Sequence, residues 1–403
     1  MRLDFAPAIC GVLIFLASLA PARAVDFEYD GFADLRIVAP ESERSWLDGG
    51  LGKLRYGADN SNFQFAGAVA QGSVLFTPEV SAIAVVRADS SQKYFVLPTE
   101  AYLRYRPVST TPWLWSLKAG AFFPPFSLEN TEVGWSSYWT LTPSAINSWF
   151  GDELRTIGGE GEVDWRSDEG TLSLTAALFG WNDPAGVMIA DRGWAMDDRP
   201  TALFDDLRLP DATLILFGRK PPDTTLIFDE IDHRVSWYAG ASWKSEDQWH
   251  VQLDRYDNEA DSAAHDGDYF AWRTNFWSAG ASKALGDFTL LAQGLAGTTV
   301  ITPVPQFSSV TNFNSAYVLL GWERDEWRLA ARGDLFRTHT GGNSLLSENG
   351  YSLTFAGSWL PKDWLRFTGE VLYIYSTRNE REIVGLTPNQ SDVQLQLSAR
   401  LYL

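Results

Sequence analysis

"SDVQLQLSARLYL" closes the chain at residues 391–403. Counting back from Leu403, the positions Leu401, Ala399, Leu397, Leu395 and Val393 are apolar. Between them stand Tyr402, Arg400, Ser398, Gln396, Gln394 and Asp392. A strand points successive side chains to opposite faces, so this stretch has one apolar and one polar face without a break. Soluble sandwiches contain such strands too. Recurrence along the chain, and the spacing of the breaks, decide the fold.

The alternation recurs. "WLRFTGEVLYIY" puts Leu365, Phe367, Gly369, Val371 and Tyr373 on one face and Arg366, Thr368 and Glu370 on the other. "YSLTFAGSW", "RVSWYAGASW", "WHVQLDRY", "LSLTAALFG", "WLWSLKAGAF" and "EAYLRYR" read the same way. Short connections with turn chemistry, such as "STTP", "SDEG", "LGD", "RDE" and "PKD", alternate with long polar segments at 122–154, 181–233, 258–269, 299–313, 338–349 and 378–391. Tight turns on one side and long loops on the other are the pattern of a transmembrane antiparallel β-barrel. Pairing back from the C-terminus yields sixteen strands. "SWLDGGLGKLRYG" at 45–57 is assigned to the first outside loop, and a possible extra hairpin around 213–230 leaves fourteen or eighteen strands open.

Tryptophan placement supports this reading. Trp113, Trp115, Trp165, Trp243, Trp249, Trp322, Trp327, Trp359 and Trp364 all fall within a few residues of a short turn. An interfacial aromatic girdle requires that position, whereas a soluble core would draw large rings toward strand centres. No run of 18 apolar residues exists, so a membrane span is possible only as a closed barrel.

The first 24 residues, "MRLDFAPAICGVLIFLASLAPARA", read as a secretory signal peptide, leaving 25–403 as the barrel. Cys10 is the single cysteine and lies in that leader, so the remaining chain has no disulfide framework. The chain carries 51 acidic and 32 basic residues, net charge −19, which argues against a nucleic-acid partner.

The stretch "EAYLRYRP…WSLKAGAFFPPFSLEN" resembles the outer-membrane porin superfamily, in particular the branch of the phosphate-selective porins. The similarity covers about 97–160, including "SAINSWFGDELRTIGGEGE", and is architectural elsewhere. It implies a sixteen-stranded channel in the Gram-negative cell outer membrane, commonly a homotrimer, with the loop near 122–154 folded into the pore. Phosphate selectivity is not carried over, because the basic ladder and lysine cluster of that branch cannot be placed here. The last strand resembles the signal read by the barrel-assembly machinery, although that signal usually ends in Phe rather than Leu403.

If apolar faces meet lipid, then Arg36, Arg87, Arg104, Arg106 and Lys118 line one wall of the pore. The long loop carries Glu129, Glu132, Asp152 and Glu153. Folded inward, it would set carboxylates against that basic wall and create a field across the constriction. The alternative is that each charge only solvates the lumen or pairs with a neighbour.

Catalytic readings find little. His233, His250, His265 and His339 lie far apart in sequence, and no nucleophile is identifiable beside His250. "GGEGE" at 158–162 lies within a strand rather than before a helix, so it is no phosphate cradle. "DNEADSAAHDGD" at 257–268 lacks the spacing of a calcium loop and reads as a solvated tip. The expected function is a water-filled porin for passive diffusion of small hydrophilic solutes or ions. No catalytic residue, metal or cofactor is expected; the expected partners are outer-membrane lipid, lipopolysaccharide and the assembly machinery. A barrel enzyme, a non-channel structural or binding protein of the outer membrane, and a soluble secreted β-protein are the alternatives.

Overall fold

Sixteen strands hydrogen-bond in one antiparallel ring, each beside its neighbours in the chain, and the last closes on the first. The computed structural model describes residues 26–211 and 222–403. The expected leader and part of the 213–230 stretch lie outside them. In chain order the barrel strands are β1 Asp26–Ala39, β2 Phe63–Leu75, β3 Val80–Ala88, β4 Val96–Tyr105, β5 Trp113–Phe122 and β6 Thr156–Ser167. They continue as β7 Gly170–Gly180, β8 Ser236–Ser245, β9 Trp249–Asp257, β10 Arg273–Leu285 and β11 Phe288–Val304. The last five are β12 Phe307–Arg324, β13 Trp327–Thr340, β14 Glu348–Lys362, β15 Leu365–Arg378 and β16 Asn389–Tyr402. Closure removes both sheet edges, which hydrocarbon demands because it offers no partner to an unpaired backbone group.

The terminal strand shows which way its faces point. Leu395 and Leu397 are 47% and 62% exposed on the outside, whereas Gln394 and Gln396 are 2% exposed on the inside. The apolar face is turned out and the polar face in, as lipid outside and a polar lumen inside require. The expected girdle residues lie on that outer surface. Trp113 packs beside Trp165 at 6.5 Å between ring centroids, Trp327 beside Trp359 at 6.0 Å, and both pairs are directly opposite in register.

Two sequence expectations are corrected. The segment 299–313 is no long loop: β11 and β12 stay paired from Thr299↔Thr311 to Val304↔Phe307. "TTVITPV" is rich in β-branched residues, which fit a pleated surface and carry the hairpin outward. The described part of 213–230 adds no barrel hairpin. Thr224–Leu226 pairs instead with Asp206–Arg208 in a separate two-stranded ribbon.

Segment 45–57 remains outside the ring and folds into the barrel mouth as a short 3-10 turn, Trp46–Asp48, with Trp46, Leu51 and Leu54 buried. Its Leu54 bridges to Met196, so the first loop and the 181–211 segment form one packed layer.

Candidate functional site

The chain leaves β5 through Phe123-Pro124-Pro125, and a proline pair can neither extend a strand nor donate to a ladder. It then crosses the lumen. Gln252 of β9 and Gln293 of β11 donate to the carbonyls of Pro125 and Phe126 at 2.5 and 2.7 Å. The Phe126 ring meets Tyr238, Phe150 and Phe276 edge-on at 5.1–5.7 Å. Farther on, Trp139 lies against β12 at Gly321, where an added Cβ would approach its ring to 2.6 Å. Only glycine leaves room for that contact.

The loop ends its crossing on the far wall. Glu370 of β15 accepts from the amides of Leu141 and Thr142 at 2.6 and 3.1 Å, and Asp334 of β13 accepts from the Ala145 amide at 3.2 Å. The short helix α1, Ala145–Glu153, starts there, capped by Ser144, whose hydroxyl accepts from the Asn147 amide.

The loop acids meet arginines that the sequence reading did not single out. Arg332 of β13 binds Glu129 at 2.7 Å, and neither side chain is exposed. The same guanidinium donates to the carbonyls of Thr142 and Pro143 and to Asp334. Glu132 pairs with Arg366 of β15 at 2.9 Å and with Arg328 of β13 at 3.8 Å. Arg366 lies opposite Arg400 in register, and Arg400 binds Asp34 of β1 at 3.0 Å. Thus Arg328, Arg332 and Arg366 make the basic surface facing Glu129 and Glu132, with Arg400 beside Arg366 in the wall.

Asp152 and Glu153 do not reach either wall. Asp152 accepts from Arg192 at 3.1 Å. Glu153 accepts from the amides of Gly186, Met188 and Ile189 at 3.0, 2.9 and 3.3 Å, at the start of helix α2, Val187–Asp191. Burial nevertheless pushes the Glu153 carboxyl up.

The other expected wall residues have local partners. Arg87 binds Asp89 at 3.0 Å and is buried. Arg36 binds Asp34 and Asp198 at 2.8 and 2.5 Å. Burial works against ionisation of Asp198, but Arg36, Arg55 and Arg87 overcome it and hold its carboxyl well below the usual range. Lys118 pairs with Glu160 of β6 at 2.7 Å, and exposed Arg106 lies 3.9 Å from Asp164. Arg104 faces Lys118 in register, partly exposed, and its Nε has no hydrogen-bond partner among the described residues.

Accessibility divides the lumen. Gln71, Tyr102, Arg104, Lys118, Glu162 and Thr175 on β2–β7 are only partly buried. On β13–β16 the inward Arg332, Thr354, Glu370 and Gln396 are sealed beneath the loop. The inward charges that keep some exposure therefore lie on the β2–β7 side, with Arg104 and Lys118 beside the carboxylates of β6.

The acidic segment 257–268 is held by arginines. Arg273 binds Glu259 at 2.7 Å and Arg234 binds Asp261 at 3.2 Å. Of the histidines, His233 and His265 are exposed in loops.

An apolar exterior, a charged interior and a loop laid across it define a sixteen-stranded antiparallel β-barrel of the outer-membrane kind. The structure is similar to that of the outer-membrane channel DcaP of Acinetobacter baumannii, with a TM-score of 0.58 and 10% identity over 96% of this chain and 99% of that one. It is also similar to the anion-selective porin from Comamonas acidovorans, with a TM-score of 0.52 and 8% identity over 94% and 100% of the two chains. A third similar structure is OmpT of Vibrio cholerae in its trimer form, with a TM-score of 0.53 and 9% identity over 94% and 100%. At these identities the likeness is one of fold. No family model matches the sequence, and no curated protein does.

Proposed function

We propose that the chain forms a water-filled channel for passive diffusion of small hydrophilic solutes or ions across the outer membrane. The observation that carries this reading is the division of the lumen. A loop anchored by Glu129, Glu132 and the Glu370 contacts fills the β13–β16 side, while charged residues of β2–β7 keep some exposure. Such a path is narrowed but polar, which suits hydrated solutes. Association as a homotrimer, contact with lipid and lipopolysaccharide, and insertion by the barrel-assembly machinery belong to the same proposal; the trimeric form of a similar barrel supports the first. The proposal includes no phosphate selectivity and no catalysis. Liposomes containing the folded protein should swell in small sugars and amino acids and progressively less in larger ones. Swelling no faster than that of empty liposomes would refute diffusion through the barrel.

The half-buried pair Arg104 and Lys118 is the part of the expected constriction best placed to touch a solute. Their charges are close in register, and in a confined lumen they are screened less than on an open surface. Arg104→Glu should move the reversal potential in a salt gradient toward cation preference without changing heat-modifiability. An unchanged reversal potential would show that ions pass elsewhere.

The loop packing also carries a pH dependence. Burial pushes Asp152 up to about 6, against the pull of Arg192. Burial and then the charge of Glu380 push Asp191 up to about 7. Glu153 moves the same way. A carboxyl held above its unfolded value, near 3.9, stabilises most at low pH, and that contribution is lost as pH rises through the folded value. Asp198 is held low, so its contribution disappears only in strong acid. Between pH 7.5 and 5 the sum favours packing at pH 5. Amide exchange in segments 145–153 and 187–205, corrected for intrinsic rates, should slow by about tenfold at pH 5, the factor carried by one pKa unit. Equal protection at both pH values would contradict it.

A further inference from the structure

We propose that Asp183, Glu230 and Asp232 form a binding site for a divalent cation of the Ca²⁺ class at the base of the 181–233 loop. One carboxylate oxygen from each residue lies within 4.8 Å of the other two, a spacing that a single ion bridges. All three donors are hard oxygens, with neither nitrogen nor sulfur among them, which suits Ca²⁺ rather than Zn²⁺ or copper.

A second observation points to a missing partner. Asp183 is fully buried, and its Oδ2 accepts from the amides of Ile231 and Asp232 at 2.6 and 3.1 Å. Its Oδ1 is buried with no hydrogen-bond partner among the described residues. Buried carboxylate oxygens seldom stay unpaired, and a cation would complete this one. Among the described residues, neighbouring positive charge is weakly placed for the task. Arg234 Nε is 4.0 Å from Asp232 and its other end binds Asp261, while His233 Nδ1 is 3.9 Å from Glu230 on an exposed ring.

The cluster joins the two ends of one loop. Trp181 and Asp183 follow β7, whereas Glu230 and Asp232 precede β8, and the Trp181 amide donates to Glu230 at 2.8 Å. A bound ion would close that base, fixing the point from which the 181–211 segment enters the barrel mouth. The site does not depend on the channel reading.

The test uses the full folded barrel in detergent, stripped with chelator, with heat-modifiability confirming the fold of every variant. Titration with CaCl₂ by calorimetry should show one saturable site, with a dissociation constant on the order of 10⁻⁴ to 10⁻³ M as in extracellular modules. Tb³⁺ should bind in competition with Ca²⁺ and luminesce on tryptophan excitation, given Trp181 beside the site. Asp183→Asn keeps an acceptor for the two amides and should weaken binding at least tenfold. The double variant Glu230→Gln, Asp232→Asn should abolish it, and Asp268→Asn in the neighbouring exposed loop should leave it unchanged. No saturable Ca²⁺ binding to the wild-type barrel, or binding as tight as wild type in Asp183→Asn and in the double variant, would overturn the proposal.

Discussion

A chain ending at residue 391 is expected to accumulate unfolded and protease-sensitive in the periplasm. Strand β16 pairs with β1 from Phe32↔Tyr402 to Ala39↔Leu395 and with β15 from Leu365↔Leu401 to Thr377↔Asn389. Its loss exposes both edges to hydrocarbon, where each unpaired backbone group costs several kcal/mol. It also strips Asp34 of Arg400 and of the Ser398 hydroxyl, 2.6 Å away, leaving a buried carboxylate to Arg36 alone within the barrel wall. The effect is total rather than graded. Heat-modifiable, protease-resistant barrel recovered from the outer membrane would show that the ring can close without its last strand.

The second large effect concerns the crossing loop. Replacing 126–150 by a short Gly-Ser link should raise single-channel conductance at least about twofold, because conduction follows the width of the narrowest part. The deletion removes Trp139, Trp149 and Phe150 from the lumen and frees Arg328, Arg332 and Arg366 of their loop partners. Those arginines then face water, so anion preference should rise together with conductance. Glu129→Gln is a subtler probe. It leaves Arg332 with Asp334 but weakens a fully buried pair, and breaking such a pair costs about 3–5 kcal/mol. The loop should loosen, giving noisier rather than uniformly larger currents. Shortened barrels that fold normally and conduct like wild type would place the constriction elsewhere.

Much of the ring was legible because lipid imposes a rule that a sequence must obey residue by residue. Val393 to Leu401 had to be apolar on every second position, and the turn-flanking tryptophans marked one membrane interface. Strand ends were harder where β-branched residues run past the membrane, as at Thr299–Val304. The candidate site was less legible, for a different reason. Arg366 and Arg400 stood in plain view on the polar phases of their strands, and Arg328 and Arg332 share that inward phase. Alternation says that a residue points inward, but not how far a loop travels before it lands. The acids of the loop were matched to the sequentially nearer arginines of β1–β5. The loop instead crosses the barrel, where Glu370 and Asp334 accept from its backbone amides, and reaches β13–β15 more than 180 residues away. Arg87 had its partner two residues on, in Asp89.

Layered packing of 45–57 and 181–211 was not readable from periodicity either. These segments have no repeat. Their order rests on single contacts such as Lys53 with Glu348 at 2.5 Å and Asp198 between Arg36 and Arg55.

The most direct test of a water-filled channel is single-channel recording of the purified, folded wild-type protein in a planar bilayer, with reversal potentials in a KCl gradient. The account predicts discrete conductance steps that scale with salt concentration, with a selectivity that shifts in Arg104→Glu. Heat-modifiable protein that inserts into the bilayer but yields no steps at any salt concentration would contradict it.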